Sequence, residues 1–375
     1  MHTRARRNSL TSRLRAVVAL GLLIGATACA PIGVKLPGGG NDAEERLRID
    51  AIRRAEVWRP TKVASLDLER GPNVPGRFAP SATVTCTHVD KKMSGRSPKF
   101  TCVLPPKDEV KVKYGRTNGE VYAEVAATRL LWALGFGADA MYPVRVVCRG
   151  CPGDLRKDAK ITGRQVMFDP AAIERKMKGT ELEWNDTIGW KWSELDLVDP
   201  ATAPTERAQR DALKLLAALL QHTDSKTPQQ RLLCLDEPAA KKPATCARPF
   251  MMINDLGLTF GHSNLFNRNS QGSANFEKWT EEPVWRKPET CEANLAGSLT
   301  STLKNPVISE PGRKFLADLL VQLTDKQLTD LFKVARMPAR ARAADQPEGD
   351  SVREWVTAFK AKRDEVVNQR CPEGP

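Results

Sequence analysis

The chain has 375 residues, of which 41% are hydrophobic and 27% charged, and its formal net charge is +13. The first 28 residues contain five arginines and no acidic residue, so the remainder carries +8, a charge that suits anionic partners such as nucleotides, acidic proteins or membrane surfaces. No basic stripe with interleaved aromatic residues is present, which argues against a nucleic-acid-binding protein.

The N-terminus has the pattern of a secretory signal peptide over residues 1–28. A basic segment precedes an apolar run from Ala16 to Ile24, which is too short to span a bilayer, and Ala26-Thr27-Ala28 follows. Cys29 comes next, so the junction resembles a bacterial lipobox, with Ala26 where leucine is usual. We expect a lipidated N-terminus and flexible tether over residues 29–45, in an exported lipoprotein anchored in the bacterial envelope. Secretion without lipid is the alternative.

Eight cysteines remain after Cys29, and an oxidising compartment would pair them in disulfides. The pairs that local geometry predicts are Cys86–Cys102 across a hairpin, Cys148–Cys151, Cys234–Cys246 around a loop, and Cys291–Cys371 at the C-terminus. The segment from Cys148 to Cys151 has an alternative interpretation as a redox or half-zinc motif. It lacks a second such motif and a neighbouring histidine, which favours a disulfide.

After the tether, the sequence predicts a helix over 44–58 and three strands over 82–89, 99–104 and 109–114. The first two strands are joined by a basic, turn-forming loop over 90–98. A helix over 120–134 and a strand over 140–148 follow. The segment 164–199 is not assigned.

A core helix over 206–221 leads to His222 and is followed by short strands over 232–235 and 250–253. The last third is predicted to be helical over 312–321, 325–334 and 351–369, with a solvated linker over 338–349. We therefore expect an α+β fold, with a β-rich part over 46–150 and a mostly helical part over 151–375.

Lys111 and Lys113 alternate with valines, so both lysines lie on one face of the third strand and either could reach a phosphate group. We favour Lys113, next to a Tyr-Gly turn. A lysine that grips phosphate needs an acidic partner, and Glu124 lies in the middle of the following helix. Glu120 lies in the first turn, where the helix dipole explains a carboxylate. Lys111 and Glu120 are therefore predicted to be ordinary solvated charges.

The segment from His222 to Gln229 places an aspartate, a lysine two positions later and an amide five positions later. Phosphoryl transfer needs such groups: Asp224 to orient the acceptor hydroxyl and take its proton, and Lys226 to neutralise the transferring phosphoryl group. Gln229 and Asp255, which begins an Asp-Leu-Gly turn, are the candidate ligands for Mg²⁺ or Mn²⁺. His222 is expected to brace the loop by hydrogen bonds.

These residues, in this order, resemble an atypical, secreted member of the protein-kinase-like superfamily, in the style of its lipid-kinase, HipA-type and secretory-pathway branches. The resemblance covers about residues 80–335 and implies a two-lobed fold that binds ATP. The loop over 91–97, with Lys92 and Ser94, would then cover the phosphates. The chain departs from the pattern in having no glycine-rich loop before Lys113, Gln229 in place of asparagine, and no Ala-Pro-Glu after Asp255.

The resemblance implies an ATP-dependent kinase that acts on a hydroxyl of a protein, a lipid or a small molecule. Transfer of AMP on the same fold is one alternative, and a pseudokinase-like lipoprotein that binds or scaffolds a partner is another. A metal-dependent hydrolase built on Asp224, Asp255 and His222 is a third, but the dense His/Asp cluster typical of such sites is absent from the sequence.

Overall fold

The computed structural model describes residues 39–151, 160–162, 165–184, 187–199, 206–235, 246–262, 272–346 and 348–372. The helices in these ranges are α1 (Gly39–Arg53), α2 (Glu120–Ala133), α3 (Arg207–Leu219), α4 (Phe276–Glu281), α5 (Glu310–Leu320), α6 (Asp325–Val334), α7 (Met337–Ala343) and α8 (Val352–Asn368). None of them has the length and apolar composition needed to cross a membrane.

The strands in the same ranges are β1 (Ala82–Val89), β2 (Lys99–Leu104), β3 (Asp108–Tyr114), β4 (Gly137–Ala138), β5 (Ala140–Arg149), β6 (Lys160–Thr162), β7 (Gln165–Arg175), β8 (Thr180–Glu181), β9 (Gln230–Cys234), β10 (Pro249–Ile253), β11 (Trp285–Lys287) and β12 (Glu292–Ala293). The architecture is thus a mixed α/β one. The predicted signal peptide and Cys29 lie outside the described residues, and helix α1 begins at Gly39, so residues 39–45 of the predicted tether are helical.

The larger sheet closes on itself. Its strands follow the order β3-β2-β1-β5-β7-β6, and β3 also pairs with β7, so β3, β2, β1, β5 and β7 form a small barrel. Because side chains alternate along a strand, one set fills the barrel with aromatic and branched residues, among them Phe100, Val112, Tyr114 and Phe168. The other set, which includes Lys111 and Lys113, lies on the outer face.

Helix α2 packs against β5 and β7, and nearly all of its side chains are buried. Strand β4 follows this helix and enters a second sheet of order β4-β10-β9-β8. There β4 pairs in parallel with β10, with Ala138 opposite Ile253. This pairing fixes the end of β10 relative to α2, which carries two glutamates toward the same region.

The second sheet lies in a larger hydrophobic core that contains the C-terminal helices. Helix α3 packs against α5, while α8 packs against α5 and α6. A cluster of stacked and edge-on rings, including Phe260, Trp279, Phe332 and Trp355, fills the space between them. The ring cluster contacts the end of α3, where Trp279 Nε1 donates a 2.9 Å hydrogen bond to the carbonyl of Leu219.

All four disulfides predicted for the exported chain are present: Cys86–Cys102, Cys148–Cys151, Cys234–Cys246 and Cys291–Cys371. The interpretation of Cys148–Cys151 as a half-zinc motif is therefore set aside for this oxidised form. The disulfides indicate an oxidising, exported environment.

Several sequence predictions about the fold were wrong or incomplete. The helix predicted over 44–58 begins at Gly39 and ends at Arg53 as α1. Residues 338–349 were predicted to be a solvated linker, but helix α7 begins at Met337 and buries Arg340 and Ala341. Strand β7 lies in the unassigned segment. Its pairing with β3 and β5, which closes the barrel, joins residues far apart in the chain, and no local pattern reveals such a pairing.

Candidate functional site

The ammonium of Lys113 is the centre of the candidate site. Its side chain is only 1% exposed, and its Nζ lies 2.8 Å from Glu124 Oε2, 2.9 Å from Glu120 Oε2 and 3.5 Å from Asp255 Oδ1. The predicted partner Glu124 is therefore in contact with Lys113. The three carboxylates come from two separate parts of the chain, so Lys113 joins the barrel to α2 and to the turn after β10.

Glu120 was expected to be a solvated charge, and that expectation was wrong. Glu120 and Glu124 are four residues apart and share one face of α2, so both reach Lys113. Glu120 also lies against the Asp-Leu-Gly turn, where a Cβ placed on Gly257 would be 2.8 Å from Glu120 Cγ. The i,i+4 spacing was visible in the sequence and is the signal that identifies both glutamates.

Burial and charge act in opposite directions on these groups. Burial disfavours the charged form of Lys113, but the carboxylates of Asp255, Glu120 and Glu124 together raise its pKa well above the usual value. Burial raises the pKa of Glu124 to about 8, although Lys113 acts to lower it. The ammonium of Lys113 thus stays charged, whereas burial favours the neutral form of Glu124.

Asp255 lies at the end of β10 in a tight turn. Its Oδ1 accepts a hydrogen bond of 3.0 Å from the backbone N–H of Gly257. Burial acts against its charged form, but Lys113 and Lys111 hold the pKa of Asp255 well below its usual range. Asp255 is therefore a carboxylate at neutral pH, and Oδ2 makes no hydrogen bond to a described residue.

The predicted catalytic loop follows α3. In this loop, Lys226 and Gln229 both contact one carboxylate oxygen of Asp224. Asp224 Oδ2 accepts hydrogen bonds of 2.8 Å from both Lys226 Nζ and Gln229 Nε2. Among the described residues Asp224 Oδ1 has no hydrogen-bond partner, and the side chain is 18% exposed. One carboxylate oxygen is thus fixed by the loop, and the other is left without a partner among the described residues.

Backbone hydrogen bonds bring the Asp224 loop next to the Asp255 turn. Thr223 donates its N–H to the carbonyl of Leu258 at 3.2 Å, while Asn254 and Asp255 donate theirs to the carbonyl of Gln229 at 2.8 and 3.3 Å. Strands β9 and β10, which follow and precede these segments, pair side by side. These backbone contacts hold the segment that carries Asp224 next to the turn that carries Asp255.

Ser301 and Thr302 also hold the Asp224 loop in place, through their hydroxyl groups. The sequence did not indicate either residue. Ser301 Oγ donates to the carbonyl of Thr223 at 2.9 Å, and Thr302 Oγ1 donates to the carbonyl of Ser225 at 2.8 Å. The two bonds flank Asp224. Because residues 301 and 302 are distant from the loop in sequence, no spacing could have indicated them.

His222 was expected to brace the loop by hydrogen bonds. The imidazole is fully buried, and neither ring nitrogen has a hydrogen-bond partner among the described residues. The ring packs instead near Trp192, with centroids 6.1 Å apart. Burial lowers the pKa of His222 to about 4, so the ring is neutral at pH 7.

Lys111 differs from its predicted state as a solvated charge, since it forms an ion pair with the buried Glu174 on β7. This pair depends on the closure of the barrel, so the sequence could not reveal it.

Lys92 and Ser94, predicted to bind the nucleotide, are exposed in the loop before β2 and make no described contact with Lys113 or Asp255. Within the described ranges, the candidate site included, no group of three or more His, Cys, Asp or Glu side chains could hold a metal on its own.

The similarity of this chain to known proteins is weak. No protein-family model and no curated protein sequence matches the chain. Among solved structures, the chain is similar to a proinflammatory kinase of Helicobacter pylori, CtkA, with 10% sequence identity and a TM-score of 0.36. The match covers 77% of this chain and 95% of that one.

Proposed function

We propose that this protein is an exported, two-lobed, kinase-like phosphotransferase that uses ATP. The observation that carries the proposal is the meeting of Lys113, Glu120, Glu124 and Asp255 next to a loop that presents Asp224. Phosphoryl transfer depends on positioned cations, a metal held by carboxylate, and a group that orients the acceptor. In this proposal the site provides each of these in residues that separate structural elements hold.

In this proposal Lys113 binds the nucleotide phosphates and the two glutamates of α2 hold it in place. The burial of its ammonium among three carboxylates supports this role, because the amine stays charged and its position is fixed by these ion pairs. Asp224 orients the acceptor hydroxyl and takes its proton through Oδ1. Lys226, whose ammonium touches the other oxygen, offsets the charge of the transferring phosphoryl group.

Mg²⁺ or Mn²⁺ fits the residues present. Asp255 Oδ2 and Gln229 Oε1 are hard oxygen donors that make no hydrogen bond to a described residue, and both cations prefer such oxygens. Two protein donors are too few for a site of its own, so the metal would be shared with the phosphates. When bound, it would neutralise phosphate charge.

The direct test incubates the oxidised full-length chain with ATP labelled at the α or the γ position, together with Mg²⁺ or Mn²⁺. The comparison is between wild type, Asp255→Ala and the surface control Asp364→Ala, whose carboxylate is 52% exposed. We expect metal-dependent transfer of γ label in wild type and the control, and none in Asp255→Ala. Transfer of α label would identify an AMP transferase. Absence of both label and nucleotide binding would support the binding or scaffold lipoprotein instead.

The proposed kinase acts outside the cytoplasm and is anchored to a membrane. The four disulfides place the folded chain in an oxidising environment, and a lipid on Cys29 would tether it to the membrane. Incorporation of labelled palmitate, lost in Cys29→Ser, tests the anchor. The acceptor hydroxyl belongs to a protein, a lipid or a small molecule.

A further inference from the structure

Lys99 is a third lysine on the face of the barrel that carries Lys113. In the antiparallel pairing of β2 with β3, Lys99 lies directly opposite Lys113, and Thr101 lies opposite Lys111. Residues opposite each other point to the same side of a sheet, with Cβ atoms about 4.5–5.5 Å apart. Lys99 is therefore a neighbour of the lysine at the centre of the site, and it is partly buried there.

The three lysines differ in their partners. Lys111 is paired with Glu174, and Lys113 is surrounded by three carboxylates. No carboxylate of the described residues lies within ion-pair distance of Lys99, although Glu120 and Asp255 are near enough to influence it. Burial and the charge of Lys113 lower the pKa of Lys99. Like charges directly opposite each other on a sheet are destabilising, and an anion that contacts Lys99 would offset this repulsion.

The loop that precedes β2 is folded over this same face. Thr101 Oγ1 makes a 3.2 Å contact with Met93 Sδ, which fixes the loop on the side of the lysines. Gly95 has a φ of +83°, and a Cβ placed there would lie 2.9 Å from Lys99 Nζ. The ammonium of Lys99 thus lies directly beneath the backbone of the loop, and a side chain at position 95 would displace it.

We propose that Lys99 binds the phosphate chain of the nucleotide, between the loop over residues 90–98 and Lys113. In a glycine-rich loop, backbone N–H groups would provide positive charge to the phosphates. Here the ammonium of Lys99, beneath the loop, supplies that charge. This inference rests on the proposed nucleotide site and adds to it a residue that the sequence did not indicate. Lys92 and Ser94 are exposed, whereas the ammonium of Lys99 is already placed beside the other phosphate-binding cation.

The test measures dissociation constants of ATP and of adenosine by calorimetry, using the full chain with its disulfides formed. Lys99→Met removes the charge, Lys99→Arg retains it, and Lys107→Met is the matched control, since Lys107 is exposed in the turn at the far end of the same hairpin. We expect Lys99→Met to weaken ATP about tenfold or more and to leave adenosine unchanged, because only the phosphate contact is lost. Lys99→Arg and Lys107→Met should bind ATP nearly as wild type does.

Two outcomes distinguish a failure of the Lys99 inference from a failure of the proposed nucleotide site. If wild type binds ATP and Lys99→Met binds it equally well, or loses ATP and adenosine alike, Lys99 does not contact phosphate and the inference is overturned while the nucleotide site stands. If wild type binds no nucleotide, the proposed function itself fails. A second variant, Gly95→Ala, should displace Lys99 and weaken ATP without removing any charge. Unchanged ATP affinity in Gly95→Ala would count against the placement of Lys99 beneath the loop.

Discussion

Glu120 lies directly against Gly257, so close that a Cβ on the glycine would be 2.8 Å from Glu120 Cγ and 3.0 Å from Oε2. The glycine of the Asp-Leu-Gly turn is thus required by packing: it lets the turn that carries Asp255 approach the helix that carries Glu120. Both side chains then reach Lys113.

Gly257→Ala is expected to push Glu120 away from Lys113 and to lower the free energy of unfolding by about 1–3 kcal/mol, as overpacking does. Urea titration of the oxidised chain measures the change. The control is the double variant Glu120→Ala with Gly257→Ala, in which the shorter side chain makes room for the new methyl group. Its destabilisation should be smaller than the sum of the two single changes. Strict additivity would show that the two positions do not interact.

Lys113→Met should be one of the most destabilising substitutions in the chain. It leaves Glu120, Glu124 and Asp255 without their shared cation, and breaking a buried ion pair in this way costs about 3–5 kcal/mol. Denaturant unfolding measures the loss, and Lys107→Met, on an exposed turn, should stay within about 0.5 kcal/mol of wild type. Equal stability of the two variants would rule out Lys113 as the centre of the cluster.

The burial of His222 predicts that the stability of the chain depends on pH, and it also determines the sign of this dependence. The pKa of His222 is lowered from 6.5 to about 4 in the folded chain, so the unfolded state binds a proton first as the pH falls. Its contribution to stability is present above pH 6.5 and is lost as the pH falls toward 4, with about 2 kcal/mol lost between pH 7 and pH 5. His222→Leu should lack this component, while His88→Leu, on a partly exposed position of β1, should retain it. The check is the difference between wild-type and variant unfolding free energies at the two pH values.

Asp224→Asn should separate chemistry from nucleotide binding. The amide keeps the shape of the side chain but cannot take the proton of the acceptor hydroxyl, so we expect the rate of transfer to fall by about 10²–10⁴-fold. The affinity for ATP should change little, because Lys113 and Asp255 are untouched. Measured rates and dissociation constants that fell together would argue that Asp224 positions the nucleotide instead.

The sequence indicated the parts of the site that depend on local order. Lys113 could be placed on a strand face, Glu124 on the next helix, and Asp224 after a core helix, because each position follows from periodicity and from the ends of elements. The short strands before Asp255 and after Gln229 could be paired for the same reason, and they lie side by side as β10 and β9.

What the sequence did not indicate depends on contacts between distant segments. The pairing of Lys111 with Glu174 requires β7 to close the barrel on β3. The placement of Lys99 beneath its loop requires the register of β2 against β3 and the missing side chain of Gly95. The charged, Pro-containing sequence of helix α7 lacks an apolar period and so predicts a linker, yet Arg340 is buried on this helix. Such features follow from tertiary packing, which overrides local patterns.

The most direct test of the nucleotide site is to locate ATP on the chain. An ATP analogue with an acyl phosphate at its terminal group acylates lysines that lie next to bound phosphates, and peptide mass spectrometry identifies them. The oxidised full-length chain, treated with and without an excess of ATP, should be labelled at Lys99, Lys113 or Lys226, with the label suppressed by ATP. Labelling that ATP does not suppress, or that falls only on lysines other than these three, would contradict a nucleotide site built on Lys113 and Asp255.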